Sequence, residues 1–452
     1  MDIYSISRHN PFFNDYQNIL LVDFLPNNKS SLPPDAQNQL EIILNSLDSS
    51  APMINELLIN LSQLINHYGH SIHPYISSLD ISNLISLLDF PNLQEITISI
   101  LWSCSSLSSD IIGYFFEADS FIQKIIFIFL SNISIDTKLT IIKIINECLS
   151  QYPQLTSILT NADFFNKVIP YCEMSNDFIT ISSIFLFHCQ ITEGFVKSAL
   201  PIMLYIITNS NDYYSISRIL FVLSKSNGYN NLENTINQFI LSNYLPQLKN
   251  FLDNETEIFL IDASITMIYS LVMTSDVETA RIIYSTEILH SVFNWLTQLT
   301  IKSNSIENNN LSSLILSFLN ILLEHSISDD NLLSTFVKIL LKSNFINFCK
   351  LSTYILCEKA IFLVLNTVTS FLRGYQTKKL LSEEFLEILI KFFETTDEHY
   401  QIKICQQLHL ALLYYKNDSD LCNRITTMWM ENDVCYDFCS DLMEDDFIIE
   451  KS

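Results

Sequence analysis

A chain of 452 residues is longer than one hydrophobic core usually organises, and its 5 Gly and 11 Pro are too few for an all-β protein or a Gly-rich nucleotide-binding fold. Charged residues make up 16% of it, against roughly 25% in ordinary soluble domains, while hydrophobic residues reach 48%, so much of the chain must be internal. The net charge of −25 argues against general nucleic-acid binding, which needs Lys and Arg to neutralise phosphates, and favours basic partners.

In chain order, residues 1–34 read as an apolar, aromatic capping segment and a loop. Asp2, Arg8, His9 and Asp15 interrupt the amino-terminal stretch, so no secretory signal peptide is expected. A first helix should follow Asp35 as N-cap, with Leu40, Ile43, Leu44 and Leu47 on one face. His67, His70 and His73 have helical spacing that could serve zinc or copper, but no further ligand is close in sequence, and they read as a polar helix end before Pro74. Phe178 to Thr192 is broken by Ser, Thr, His and Gln, which makes it a buried helix rather than a membrane span.

The clearest unit runs from Asn211 to Leu252. It predicts helices over Tyr214 to Lys225, Leu232 to Leu241 and Leu245 to Leu252, with turns at Ser226-Asn227-Gly228 and Ser242-Asn243 where Gly and Asn tolerate positive φ. Further on, Ile258, Ile261, Ile265, Ile268 and Val272 recur at helical spacing where a strand would alternate. The polar run Lys302 to Asn310 predicts an exposed loop. Near the end, Phe385, Leu389 and Phe392 face inward from a helix whose other side carries the Glu387 and Lys391 pair.

Aligned on the start of the last helix of each unit, the repeats begin at Ile81, Ser120, Phe164, Ala199, Tyr244, Ile288, Phe345, Phe385 and Val434, spaced about 44 residues apart on average. The preceding residues include Asp80, Asp119, Asp163 and Asn243, which suit a left-handed turn, whereas Ser198, Glu287 and Glu384 depart from that pattern. Tyr244-Leu245-Pro246-Gln247-Leu248, echoed by Ala199-Leu200-Pro201, resembles the start of an armadillo-repeat helix. The resemblance spans roughly Asp48 to Leu442, with HEAT-type geometry open for the weaker units. It implies an all-α, right-handed superhelical solenoid of about nine armadillo-like repeats over residues 35–442, followed by an acidic tail at 443–452.

Such repeats mostly present binding surfaces. The function the resemblance implies is a non-catalytic adaptor or scaffold for a protein or an extended, basic peptide. A helical structural or regulatory subunit of a larger assembly is the alternative, and an importin-α-like transport adaptor is less favoured. In importin-α proteins a Trp and the Asn four residues after it recur as a ladder that clamps basic localisation peptides. The matching places here hold Trp102 with Ser106, and Phe221 with Lys225, so the ladder is broken, and Trp295 and Trp429 do not extend it. A lone Trp102 on an apolar helix reads as core more readily than groove.

No Gly-x-Ser-x-Gly, phosphate loop or His-Glu-x-x-His motif occurs, so neither an enzyme nor a cofactor is expected. The Cys residues stand singly, without a Cys-x-x-Cys, which fits a reducing compartment, cytoplasmic or nuclear; Cys435 and Cys439 read as packing residues. Asp418 to Glu450 holds ten acids and Arg424 alone, and Asp437, Asp441, Asp445 and Asp446 form either a solubilising end or a docking surface for a basic partner. Replacing those four by Asn and Ser separates the readings by association kinetics. The cap reading, favoured here, expects unchanged binding and lower solubility. Docking expects slower association, and an attraction that fades as added salt shortens the Debye length from about 10 Å at 0.1 M to about 3 Å at 1 M.

Overall fold

The computed structural model describes residues 32–351 except 48–52, 77–80, 108–109, 118–119, 275–276, 302–305 and 344, and then residues 398–414, 416–431 and a few single positions. Among the described residues all regular structure is helical. The helix starts expected at Phe385 and Val434, and the Asp437, Asp441, Asp445 and Asp446 cluster, lie outside the described residues.

The first helix, α1 (Pro34–Ser46), starts at Pro34 rather than after Asp35. Proline's fixed φ suits a first helical position, and Asp35 inside the first turn faces the positive end of the helix dipole. Next come α2 (Ile54–Tyr68) and α3 (Ile81–Leu87). From there helices follow in groups of three, a long one leading: α4 (Gln94–Leu107), α5 (Asp110–Glu117) and α6 (Phe121–Phe129), then α7 (Ile135–Gln151), α8 (Thr156–Asn161) and α9 (Phe164–Cys172). The next group is a pair, α10 (Asn176–His188) and α11 (Glu193–Asn209).

That pair corrects the expected start at Ala199. Thr192 accepts a hydrogen bond from the Phe195 amide and so caps a helix that begins at Glu193, leaving Leu200-Pro201 in its interior with Pro201 on the exposed side. The second Leu-Pro pair behaves as expected, because Pro246 sits in the first turn of its helix, where no amide donor is needed.

The remaining groups are α12 (Tyr213–Ser226), α13 (Asn230–Phe239) and α14 (Leu245–Asn254), then α15 (Ile258–Thr274), α16 (Val277–Ser285) and α17 (Ile288–Ile301), and α18 (Ile306–Ser326), α19 (Asp330–Lys342) and α20 (Phe345–Leu351). Later come α21 (Glu398–Tyr414) and α22 (Ser419–Met430). Side-chain caps set several starts: Ser134, Ser175, Asp212, Asp329 and Asp418 each accept from an amide in the first turn that follows.

Left-handed turns occur where a group's last helix begins. Asp163 (φ 53°) and Glu287 (φ 61°) immediately precede α9 and α17, so Glu287, a departure on sequence grounds, adopts the conformation all the same. Asn243 does not: it lies in a π-helical turn, Ile240–Tyr244, that carries α13 into α14. Asn227 is right-handed at φ −69°, so the turn after α12 closes without the positive φ expected there. Of the polar run at 302–310, the residues from Ile306 onward are helical in α18, against the loop expected there, and residues 302–305 lie outside the described residues.

Contacts divide the chain into two compact units, residues 1–232 and 233–452. In the first, α2, α4, α7, α10 and α12 pack side by side in one row, and α9 packs on α11 behind it. In the second, α15 packs on α18, while α14, α17 and α20 form another row. Hydrogen bonds between neighbouring groups report the repeat directly. Ser134 N donates to Glu95 Oε1 (2.8 Å, 39 residues apart), Trp295 Nε1 to Leu252 O (2.7 Å, 43 apart), and Tyr284 pairs with Ser326 (2.8 Å, 42 apart).

The first unit's core is aromatic, with Phe165 stacked on Phe185 (5.9 Å between centroids) and edge-on to Phe195 (5.4 Å). One charge is buried beside it. Lys138, only 6% exposed, donates to the carbonyls of Phe129 and Ser131 at the end of α6, and its ammonium lies 5.2 Å and 4.9 Å from the Phe129 and Tyr171 ring centroids. Lys138→Met keeps the stem and removes the donors, leaving two carbonyls unsatisfied at about 1–3 kcal/mol each. Urea unfolding of this variant is expected to show a loss of at least about 2 kcal/mol; an unchanged midpoint would refute the capping role.

Candidate functional site

The long helices of the first unit bring together side chains that the sequence scatters over more than a hundred positions. Trp102 and Ser106 lie one turn apart on α4, and Ser106 Oγ donates to the Trp102 carbonyl at 3.0 Å, so it is turned onto its own helix. Trp102 is half-buried, which corrects the core reading. From the adjacent helix α7, Lys143 Nζ sits 5.9 Å from the Trp102 ring centroid.

On α12, Phe221 is 8% exposed and Lys225 Nζ lies 4.2 Å from its ring centroid. Between these positions, Phe187 of α10 meets Phe221 at 5.7 Å between centroids. The face therefore runs Trp102, Lys143, Phe187, Phe221, Lys225 across α4, α7, α10 and α12. At both ends an aromatic ring is met by a lysine of the same chain.

Beneath the rings lies a polar lattice. His188 Nδ1 and Asn146 Oδ1 are 2.9 Å apart and join α10 to α7. Arg218 Nη1 donates to Ser183 Oγ (3.3 Å), which donates to Ser215 Oγ (3.1 Å), which in turn donates to Asp212. Burial lowers the Lys143 pKa, opposed by the Asp177 charge, and burial likewise raises that of Glu147. Glu147 Oε1 is buried with no hydrogen-bond partner among the described residues. Burial, and then the Arg218 charge, pushes His188 down to about 4, while its bond with Asn146 opposes the shift.

Sequence reasoning found the two ends of this face and missed Lys143, Asn146, Glu147, Phe187, His188 and Arg218. The signal was present as a spacing: Trp102, Lys143, Phe187 and Phe221 recur at intervals of 41, 44 and 34 residues, one on each successive long helix. Trp295 is buried on α17 and donates its indole N–H to a backbone carbonyl, so it takes no part in a surface. The carboxylate cluster at 437–446 cannot be placed against the face, since it lies outside the described residues.

A solved structure of SYS-1, an armadillo-like protein, matches with a TM-score of 0.53 at 12% identity, covering 96% of this chain and 82% of that one. The fold is armadillo-type. A crystal complex of SYS-1 with POP-1 matches similarly, with a TM-score of 0.54 at 12% identity and coverage of 94% and 82%. No family model matches the chain, and no curated protein does. Within this armadillo-type fold, α4, α7, α10 and α12 form one row. Ser183, Ser215 and His188 make links between its helices, while Ser106, Ser217, Ser224 and Ser226 donate to carbonyls of their own helices.

The His188 shift has a sign that can be checked. A histidine whose folded pKa lies below its unfolded value near 6.5 contributes stability above that value, and the contribution is lost as pH falls toward about 4. The stability difference between wild type and His188→Gln is expected to shrink between pH 7 and pH 4.5. The imidazole should titrate by NMR with a midpoint near 4; a midpoint above 6 would contradict the buried neutral ring.

Proposed function

We propose that this protein is a non-catalytic scaffold that binds an extended segment of a protein partner across α4, α7, α10 and α12. The observation that carries the reading is the row of side chains on successive packed helices, Trp102 beside Lys143 and Phe187 against Phe221, with Lys225 near the Phe221 ring. An extended peptide is the ligand such a row suits. It can set alternate side chains against Trp102 and Phe221, offer carboxylates to the lysines, and supply an N–H donor to Glu147 Oε1. The SYS-1/POP-1 complex supports the reading by analogy, because a protein of similar fold is there found with a protein partner.

The same geometry disfavours the transport-adaptor reading. A basic localisation peptide would have to bring its own cation to rings that already hold one, at a cost in like-charge repulsion. The acidic carboxyl-terminal stretch, read above first as a solubilising end, is on its charge alone also a candidate surface for a basic segment.

Two measurements test the proposal. Partners captured from native cells on wild-type protein should be retained at least about tenfold less by the double variant Lys143→Glu, Lys225→Glu, with the helical circular dichroism unchanged. Equal retention would remove the face from consideration. A standard basic localisation peptide should bind more weakly than micromolar or not at all, and micromolar or tighter binding that Trp102→Ala abolishes would overturn the assignment in favour of the transport adaptor.

A further inference from the structure

A second surface opens at the amino-terminal ends of the same long helices. Asn55 and Ile59 of α2, Pro91 and Asn92 before α4, Glu95 and Ile96 within it, Phe127 of α6, and Ile133 before α7 border a notch of about 560 Å³. That is within the range of pockets that enclose a ligand group. Its apolar walls are unusually open to water. Phe127 is 74% exposed on a helix whose other phenylalanines and isoleucines are buried, and Ile59 is 40% exposed. Close in sequence to the lining residues, Phe90 (43%) and Leu130 (50%) are exposed as well. In a chain this poor in charge, a concentration of exposed apolar residues around one concavity marks a contact surface.

The notch is held in shape. Both Glu95 oxygens are engaged by Ser134, through its amide at 2.8 Å and its hydroxyl at 3.1 Å, which ties the start of α4 to the start of α7. Gln94 Nε2 donates to the Leu88 carbonyl at 3.0 Å and fixes the loop that carries Pro91 and Asn92. A preformed site loses less freedom on binding than one that must be assembled.

Charge around the notch selects the occupant. Glu95, which lines it, is exposed, and so are Glu56 and Asp136, close in sequence to the lining residues Asn55 and Ile133, while two cations of the adjoining helices are committed: Lys124 pairs with Asp89 at 2.8 Å, and Lys138 is buried against carbonyls. We propose that this notch docks a basic amphipathic segment of a partner protein, placing one bulky apolar side chain between Ile59 and Phe127 and its flanking Lys or Arg against Glu56, Glu95 and Asp136. A second copy of this chain would bring the same acids to the rim, and an anionic membrane would be repelled by them. This surface does not depend on the Trp102 to Phe221 face, and either can fail alone.

The test uses two synthetic peptides identical but for charge, each with a central Trp, one flanked by Lys and the other by Glu. They are titrated calorimetrically into the full chain, wild type, Phe127→Ala and Glu56→Gln. The Lys peptide is expected to bind with one-to-one stoichiometry, about tenfold more weakly to Phe127→Ala and about threefold more weakly to Glu56→Gln, while the Glu peptide binds far less. Thermal melts of both variants should match wild type, because both side chains are exposed. Equal affinity of the Lys peptide for wild type and Phe127→Ala would mean only diffuse attraction to an acidic protein. That result, equal binding of the two peptides, or no binding of either overturns the proposal.

Discussion

Several long helices among the described residues are apolar on more than one side, and that constraint shapes the rest. Helix α15 buries Phe259, Leu260, Ile261, Ala263, Ile265, Met267, Ile268, Leu271 and Val272, most of its circumference, and leaves the stripe of Asp262, Thr266, Tyr269 and Met273 partly open. No pair of helices could cover such a surface. A neighbour is needed on each flank, and that neighbour has the same need, so the elements stack until a polar end stops them. The low charge fraction and the row packing of α2, α4, α7, α10 and α12 are two expressions of one requirement.

Buried polar groups in the stack bond either to their own helix, as Ser226 and Ser264 do, or across helix boundaries, where several links fall near the period of the repeat. The links Asn146 to His188, Ser183 to Ser215 and Leu252 to Trp295 join residues 42, 32 and 43 positions apart. Each fixes the register of one helix against the next more tightly than apolar contact, which tolerates sliding. A buried donor or acceptor left without its partner costs about 1–3 kcal/mol, so a slip of one helical turn at any of these links is strongly disfavoured.

Period and composition made the architecture legible: the apolar spacing from Ile258 to Val272 runs along α15, and Leu245-Pro246 marked the start of α14. What misled was reading a dipeptide without its cap. Leu200-Pro201 carries the same letters, but Thr192 upstream captures the Phe195 amide and starts the helix early, and a proline on the exposed side of a long helix is tolerated when both flanks are packed. Glu287 shows the converse, a residue of poor left-handed propensity held at φ 61° because α17 must begin there to bury Ile288 and Leu289. Tertiary packing overrides local preference at both places. The candidate face was legible only at Trp102 and Phe221, since its other members become neighbours through stacking alone and carry no motif.

The placement of lysines against aromatic rings has a consequence for selectivity that the rings alone would not suggest. A partly accessible ring such as that of Trp102 attracts cations, and a chain of net charge −25 draws basic segments toward it. Lys143 over Trp102 and Lys225 over Phe221 close that route on this face, because an incoming cation must displace a tethered one whose effective concentration is high. The acidic rim of the Phe127 notch has no such guard, as Lys124 is engaged by Asp89 and Lys138 is sunk beneath the surface. The two proposed surfaces would then differ in charge preference, the face disfavouring basic segments and the notch accepting them, and the difference rests on where a few lysines out of a small total are placed.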